Sequence, residues 1–200
     1  PPPRVPLGEL LRHHWRETLG GTFAVVACFA IFYLTTAFAL GYGTTALKIP
    51  REDFLGLQLG AIVFMAIGII WAGYISDATT PRRVLMTGCA LTVAAAFFLG
   101  PMMESGSYIL IWMFLSLALL LMGFVYGPLG AFLPGLFPAR VRYTGASMAF
   151  NVGGIIGGGL TPIIAQALTA EHGIFSVGVY LAAAALISFA ALWPLKQSEA

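Results

Sequence analysis

Residues 105–147 read SGSYILIWMFLSLALLLMGFVYGPLGAFLPGLFPARVRYTGAS. The run 105–139 contains no Asp, Glu, Lys, Arg or His, and Arg140 and Arg142 follow directly after it. About 20 apolar residues in a helix cross a bilayer core of roughly 30 Å. The stretch therefore predicts a membrane-spanning helix that ends in a basic loop. The run is too long for one straight span, so Gly127–Pro128 and Pro134 predict a break or bend near its end.

The rest of the chain repeats this pattern. Hydrophobic residues make up 59% of the sequence and charged residues 9%, against roughly a quarter charged in a soluble domain. The uncharged runs are continuously apolar, whereas strands of a membrane barrel alternate over about 10 residues. The sequence therefore predicts an all-α membrane protein with six transmembrane helices, at approximately 20–41, 54–75, 84–103, 108–130, 144–168 and 173–194.

The ends of the chain have a different composition from the spans. We interpret residues 1–19 as a linker with an interfacial segment, residues 20–195 as the transmembrane domain and residues 196–200 as a tail. The chain has neither an initiator Met nor a signal peptide with a cleavage site. We therefore read it as a piece of a longer protein.

Loop charges predict the orientation in the membrane. With the N-terminus inside, two cations lie outside, Lys48 and Arg51, and eight lie inside: Arg4, Arg12, Arg16, Arg82, Arg83, Arg140, Arg142 and Lys196. Cytoplasmic loops carry the excess of Lys and Arg. We expect a multi-pass protein of the cell membrane with both chain ends cytoplasmic, and no nucleic-acid partner.

Two inner loops carry motifs. Residues 73–85 read GYISDATTPRRVL and residues 136–147 read LFPARVRYTGAS. With these motifs the chain resembles, over essentially its whole length, the C-terminal half of a major facilitator superfamily transporter, most closely the metabolite:proton symporters. The family's first motif is matched at Gly73, Asp77 and Arg82, and Ala78, Thr80 and Pro81 depart from it. In its second motif, Gly135 replaces a family glutamate.

The resemblance implies half of a secondary transporter that moves an organic acid or a zwitterionic osmolyte by alternating access. Its partners would be the lipid bilayer, an N-terminal six-helix half, the solute and a coupling proton; no cofactor is implied. Inner-loop ion pairs would stabilise one of the two openings. The candidate gating residues are Asp77, Arg82, Arg140 and Arg142, with Asp77 pairing to Arg140 or Arg142.

Polar side chains within the predicted spans are candidates for solute binding. In the resembled family, the first, second, fourth and fifth helices of this half line the cavity. The candidates are Tyr33, Thr36, Gln58, Tyr126 and Asn151. Each of them also has a plainer interpretation, because buried amides in lipid usually bond another helix.

The apolar runs contain no titratable or charged side chain. A proton-coupled step needs a titratable group at depth. We therefore expect both the proton carrier and the countercharge for a carboxylate solute to lie in the other half.

Glycines recur one helical turn apart, as in Gly153 with Gly157 and Gly154 with Gly158. Small residues at this spacing let helices approach closely in lipid. A phosphate-binding loop is disfavoured, because no strand precedes this glycine run. We predict helix packing.

Other classes fit less well. An intramembrane serine protease needs a His beside its Ser at depth, and no apolar run contains a His. The sequence therefore predicts neither catalytic nor metal-binding residues. It also has no filter loop or charged ring typical of a channel. A structural membrane subunit or a degenerate half-transporter remains the alternative.

Overall fold

The computed structural model of this protein describes residues 6–195, and within them every regular element is helical. The predicted linker residues 1–5 and the tail 196–200, including Arg4 and Lys196, lie outside the described residues. The all-α prediction is confirmed. The helices are α1 (Pro6–His13), α2 (Trp15–Thr45), α3 (Arg51–Ala78), α4 (Pro81–Ala96), α5 (Leu99–Glu104), α6 (Tyr108–Phe132), α7 (Arg142–His172) and α8 (Phe175–Leu192).

Five helices of the described chain are long and apolar enough to cross a membrane, namely α2, α3, α6, α7 and α8. The third predicted span, at 84–103, is divided between two helices, because α4 ends at Ala96 and α5 begins at Leu99; six spanning helices are therefore not confirmed. Pro101 explains the break. It has no N–H for the carbonyl of Phe97, and its ring would collide with that carbonyl in a continuous helix.

Local sequence signals account for several helix ends. Thr80 caps α4 by accepting a hydrogen bond from the Arg83 N–H (3.3 Å), and Pro81 occupies the first helical position. The path of α6 turns at Gly127–Pro128, where the sequence predicted a break, and a single 3₁₀ turn follows at Pro134–Leu136. These turns carry the chain into the basic segment before α7.

Two helix pairs approach closely through glycine. In α3 and α6, a Cβ added at Gly68 would lie 2.2 Å from the Leu120 carbonyl oxygen, and one added at Gly123 would lie 2.1 Å from that of Met65. In α7, a Cβ at Gly157 would lie 2.5 Å from the Val26 carbonyl oxygen of α2. The predicted glycine packing is therefore confirmed for these pairs.

The hydrogen-bond ladder of α2 is interrupted at Val25, where a side chain from α8 enters it. The Ala27 N–H donates to Ser188 Oγ (2.9 Å), and that hydroxyl donates to the Phe23 carbonyl (2.7 Å). In a regular helix the Ala27 N–H would bond the Phe23 carbonyl directly. The fully buried Ser188 of α8 thus replaces one direct helical bond by two bonds through its hydroxyl.

Helix α3 buries a narrow stripe of its surface. Its buried residues are Phe54, Ala61, Gly68 and Ala72. Gly68 and Ala72 lie against α6, and the Phe54 ring packs on Gly43 of α2. Most of its large apolar side chains are exposed, including Leu59 at 70% and Tyr74 at 74%. The remaining surface of α3 therefore faces lipid or another protein segment.

Candidate functional site

A cavity of about 710 Å³ lies between α3, α6 and α7. It brings together three of the nine predicted site residues: Tyr126 from α6, and Asn151 and Arg142 from α7. Ile69 contributes the α3 wall, and Gly127, Leu129 and Gly130 of α6 and the following Leu133 also line the cavity. The most exposed aromatic side chain of the cavity is Tyr143, at 87%.

One stripe of α7 forms a wall of this cavity. Its lining residues fall at two adjacent positions in each successive turn: Arg142, Tyr143, Ala146, Ser147, Phe150 and Asn151. Positions three and four apart share one face of an α-helix. The stripe therefore extends from a charged end at Arg142 to an amide at Asn151.

Asn151 is fixed by its own helix. Its Nδ2 donates to the Ser147 carbonyl (2.8 Å) and to Ser147 Oγ (3.3 Å). Its Oδ1 has no hydrogen-bond partner in the part of the chain that the structure describes. The side chain therefore offers an acceptor to the cavity while its donors hold it in place.

A second cavity, of about 320 Å³, adjoins the first and shares Ile69, Tyr126 and Phe150 with it. Tyr33 lies in this smaller cavity, and its ring packs against Gly158, where an added Cβ would lie 2.7 Å from Tyr33 Cε2. Tyr126 therefore stands between the region of Tyr33 and that of Asn151.

Gln58 and Thr36 are occupied by bonds within the protein. The five residues Leu34–Phe38 of α2 form a wider π-helical turn. Gln58 of α3 donates through Nε2 to the carbonyls of Thr35 (2.7 Å) and Thr36 (2.8 Å), and the Thr36 hydroxyl donates to the Phe32 carbonyl (2.6 Å). Neither residue lines the two cavities described above. Gln58 instead stabilises the irregular turn of α2.

The four residues predicted to gate the transporter have different partners and do not form one network in the structure. Arg140 pairs with Glu9 of α1, with Nε and Oε2 3.2 Å apart. Arg82 donates to the carbonyls of Leu192 (2.9 Å) and Trp193 at the end of α8. Asp77 is exposed and makes no ion pair with any described residue. The predicted pairing of Asp77 with Arg140 or Arg142 is therefore absent from this conformation.

Arg142 differs from Arg140. Its side chain is half-buried, and its Nε donates to the Phe137 carbonyl (3.2 Å). Phe137 is fully buried, and its ring packs on Gly145. The guanidinium is thereby held at the cavity wall by a bond to a buried part of the chain.

Sequence reasoning missed Ser147, Tyr143 and Phe150 as cavity residues. Their spacing relative to Arg142 and Asn151 is the signal that identifies them, once the N-terminal end of α7 is known. Within residues 6–195, no group of three or more His, Cys, Asp or Glu side chains could hold a metal ion. The site therefore consists of one guanidinium, hydroxyls, an amide and aromatic surface.

Comparison with known proteins relates the chain to bacterial transporters. It is 39% identical over 194 residues to the inner membrane metabolite transport protein YhjE of Escherichia coli strain K12, covering 94% of this chain and 44% of that protein. It is 32% identical to the shikimate transporter of the same organism, covering 98% and 45%, and 34% identical to a citrate-proton symporter of Salmonella typhi, covering 89% and 42%. No family model matches the chain. The chain thus spans slightly less than half the length of these relatives.

Proposed function

This chain is a relative of the major facilitator metabolite transporters that spans about half of their length, and we propose that it forms the C-terminal half of such a transporter. In this proposal the protein moves a small metabolite across the membrane by alternating access, coupled to protons. The observation that carries the proposal is the cavity that joins Tyr126, Asn151 and Arg142.

The cavity has the features of a solute site. Ligand sites are concave, largely apolar, and contain a few convergent polar groups. Here Phe150, Ile69 and Leu133 supply apolar surface, and Tyr126 and Asn151 supply polar groups. In this proposal the solute binds between Tyr126 and Asn151, and Tyr33 extends the site through the adjoining cavity.

Helix irregularities support a moving wall. Both α2 and α7 contain a π-helical turn, Leu34–Phe38 and Ile155–Gly159, and the second turn packs against Val26–Tyr33 of α2. Discontinuous helices border the solute sites of many transporters, and π-helical turns occur frequently at functional sites. We place the deformable part of this half at the contact between α2 and α7.

The proposed partner is a second six-helix unit on the open side of the cavities. The exposed apolar side chains of α3, such as Trp71 at 55%, would border that unit or lipid. The bond of Arg82 to the end of α8 and the Arg140–Glu9 pair join segments within this half. We retain Asp77 as a candidate gating residue in the opposite conformation, with both chain ends on the cytoplasmic side.

Transport by the full-length protein tests the proposal. The purified transporter is reconstituted into proteoliposomes, and uptake of citrate, shikimate, proline and glucose is measured with and without an inward proton gradient. We expect uptake of one carboxylate-bearing solute that rises with the gradient and falls at least tenfold in Asn151→Ala. Absence of uptake for every solute, in protein that remains monodisperse, would favour the structural subunit instead.

A further inference from the structure

A groove of about 680 Å³ runs between the start of α2 and the end of α8. Its apolar lining includes Leu19 and Phe23 from α2 and Ala191 from α8. From Trp15 to Phe23 the groove follows α2 for about 12 Å, at roughly 1.5 Å per residue. None of its described lining residues lines the two cavities of the candidate solute site. The groove is therefore a separate feature of the chain.

Two exposed tryptophans mark the depth of this groove in the membrane. Trp15 lies on its wall, and Trp193 lies in the segment that follows α8. Tryptophan is enriched at the membrane–water interface, where its ring sits at the level of the lipid headgroups. Phe23 lies farther along the membrane span that begins at Trp15. The groove therefore opens at headgroup level near Trp15 and continues toward the hydrocarbon at Phe23.

Two side chains of opposite charge line the groove next to Trp15. Arg16 is exposed and Glu17 is half-buried, and neither forms an ion pair with any residue among 6–195. The Arg16 Cζ lies 5.4 Å from the centre of the Trp15 ring, a cation–π contact that keeps the guanidinium at the groove. A guanidinium can donate two parallel hydrogen bonds to a phosphate, whereas a carboxylate needs a donor. The groove thus offers one place for an anion and one for a cation that carries N–H groups.

We propose that this groove binds one phospholipid with an ethanolamine headgroup, with Arg16 on its phosphate and Glu17 on its ammonium. The two residues are neighbours in the chain, with Cα atoms about 3.8 Å apart. An ethanolamine headgroup carries its phosphate and its ammonium two carbons apart, so a single headgroup can reach both side chains. Leu19 and Phe23 would contact the upper part of an acyl chain.

Charge complementarity distinguishes this lipid from two other headgroups. Basic pockets between membrane helices bind anionic lipids, but here Glu17 would repel phosphatidylglycerol, whose headgroup carries a negative charge and no cation. Phosphatidylcholine has a cation, but its trimethylammonium has no N–H to donate to the Glu17 carboxylate. The pair of Arg16 and Glu17 therefore suits a zwitterion that can donate hydrogen bonds.

Native mass spectrometry of the full-length protein measures this binding without requiring transport. The protein is purified in detergent, freed of bound lipid and titrated with the dioleoyl forms of phosphatidylethanolamine, phosphatidylglycerol or phosphatidylcholine. The apparent Kd of the first bound lipid is then compared between variants. Lipid sites elsewhere on the protein are present in every variant, so a difference between variants reports on the groove.

We expect phosphatidylethanolamine to bind the unaltered protein most tightly of the three lipids. Arg16→Gln should raise its Kd about threefold to tenfold, between the ranges for exposed and buried charged bonds. Glu17→Gln should raise the Kd of phosphatidylethanolamine by a similar factor and lower that of phosphatidylglycerol. Arg12→Gln and Glu52→Gln are the matched controls, because each removes an exposed charge that does not line the groove. Both controls should keep the order of the three lipids.

Ala191→Trp is a second test that leaves both charges in place, because the added ring would fill the groove. It should abolish the preference for phosphatidylethanolamine.

Three results would overturn the inference. Equal binding of the three lipids would show that the groove holds acyl chains without reading the headgroup. Tighter binding of phosphatidylglycerol would show a basic site alone. An unchanged order of lipids in both Arg16→Gln and Glu17→Gln would place the selective site elsewhere on the protein. None of these measurements involves solute uptake, so the proposed transport function stands or fails separately.

Discussion

Replacement of Gly68 by Ala tests how α3 and α6 are held together. The added Cβ would lie 2.2 Å from the carbonyl oxygen of Leu120 and 3.0 Å from the backbone nitrogen of Phe124. Ordinary van der Waals contact begins at 3.4 Å, so the helices must separate locally by about 1 Å. Because both obstacles are backbone atoms, a change of rotamer cannot relieve the overlap.

Three free-energy terms determine the size of the effect. Overpacking costs about 1–3 kcal/mol, and losing the close Cα–H···O contact costs about 0.5–1 kcal/mol more. Removing a glycine from a helix returns roughly 0.5–1 kcal/mol. We therefore expect Gly68→Ala to lower the free energy of unfolding by about 1–3 kcal/mol.

Gly56→Ala is the matched control, because Gly56 lies in the same helix and a Cβ there meets nothing within 4 Å. The assay is the apparent melting temperature in detergent, followed by loss of the monodisperse chromatographic peak. About 2–4 °C accompanies each kcal/mol in a protein of this size. Gly68→Ala should therefore melt several degrees lower, while Gly56→Ala should melt at or above the original temperature. Equal melting of the two variants would refute the packing argument.

A second substitution, Gly123→Ala, tests whether the two contacts act as one. A Cβ at Gly123 would press on the Met65 carbonyl of α3 at 2.1 Å, so both changes separate the same helices. Contacting sites are not additive. The double variant should lose less stability than the sum of the single losses, and full additivity would show that the contacts are independent.

Three further predictions concern α2 and the topology. Ser188→Val keeps a side chain between Ala27 and Phe23 that can hydrogen-bond neither, and it should cost about 1–3 kcal/mol of stability. Ser188→Ala should cost less, because the Ala27 N–H can then bond the Phe23 carbonyl directly. The reverse order of melting temperatures would contradict this. Gln58→Leu removes a donor from the carbonyls of Thr35 and Thr36 and should lower the melting temperature more than Gln166→Leu on the exposed face of α7 does. Cysteines at Ser105 and Ala139 should react with an impermeant maleimide from opposite sides of the membrane, and reaction from one side would refute the predicted topology.

The sequence predicted those features of the fold that depend on composition and local backbone chemistry. Long uncharged runs identified membrane helices, and Gly127–Pro128 identified a turn in α6. The structure divides the predicted third span into two helices, and the residue that explains the division is visible in the sequence. Pro101 lies near one end of the run 84–103, and a hydropathy pattern does not register the single hydrogen bond that proline removes.

The candidate site was predicted in part. Tyr126 and Asn151 line one cavity, because polar side chains in membrane helices face the interior or a cavity and avoid lipid. Gln58 bonds the carbonyls of Thr35 and Thr36, and this contact depends on the shape of the neighbouring α2, which the sequence around Gln58 does not indicate. Arg140 and Arg142 look equivalent in sequence, and the fold distinguishes them by placing Glu9 beside Arg140 and the Phe137 carbonyl beside Arg142.

The two irregular helices differ in how far the sequence explains them. In α7, Pro162 cannot bond the Gly158 carbonyl, so the π-helical turn at Ile155–Gly159 has a local cause. Helix α2 contains no proline in its apolar part, and its irregularities coincide with side chains that other helices insert, Ser188 from α8 and Gln58 from α3. A helix whose irregularities depend on its neighbours can become regular when those neighbours move away. The shape of α2 is therefore coupled to the positions of α3 and α8, whereas the irregularity of α7 persists wherever the helix packs.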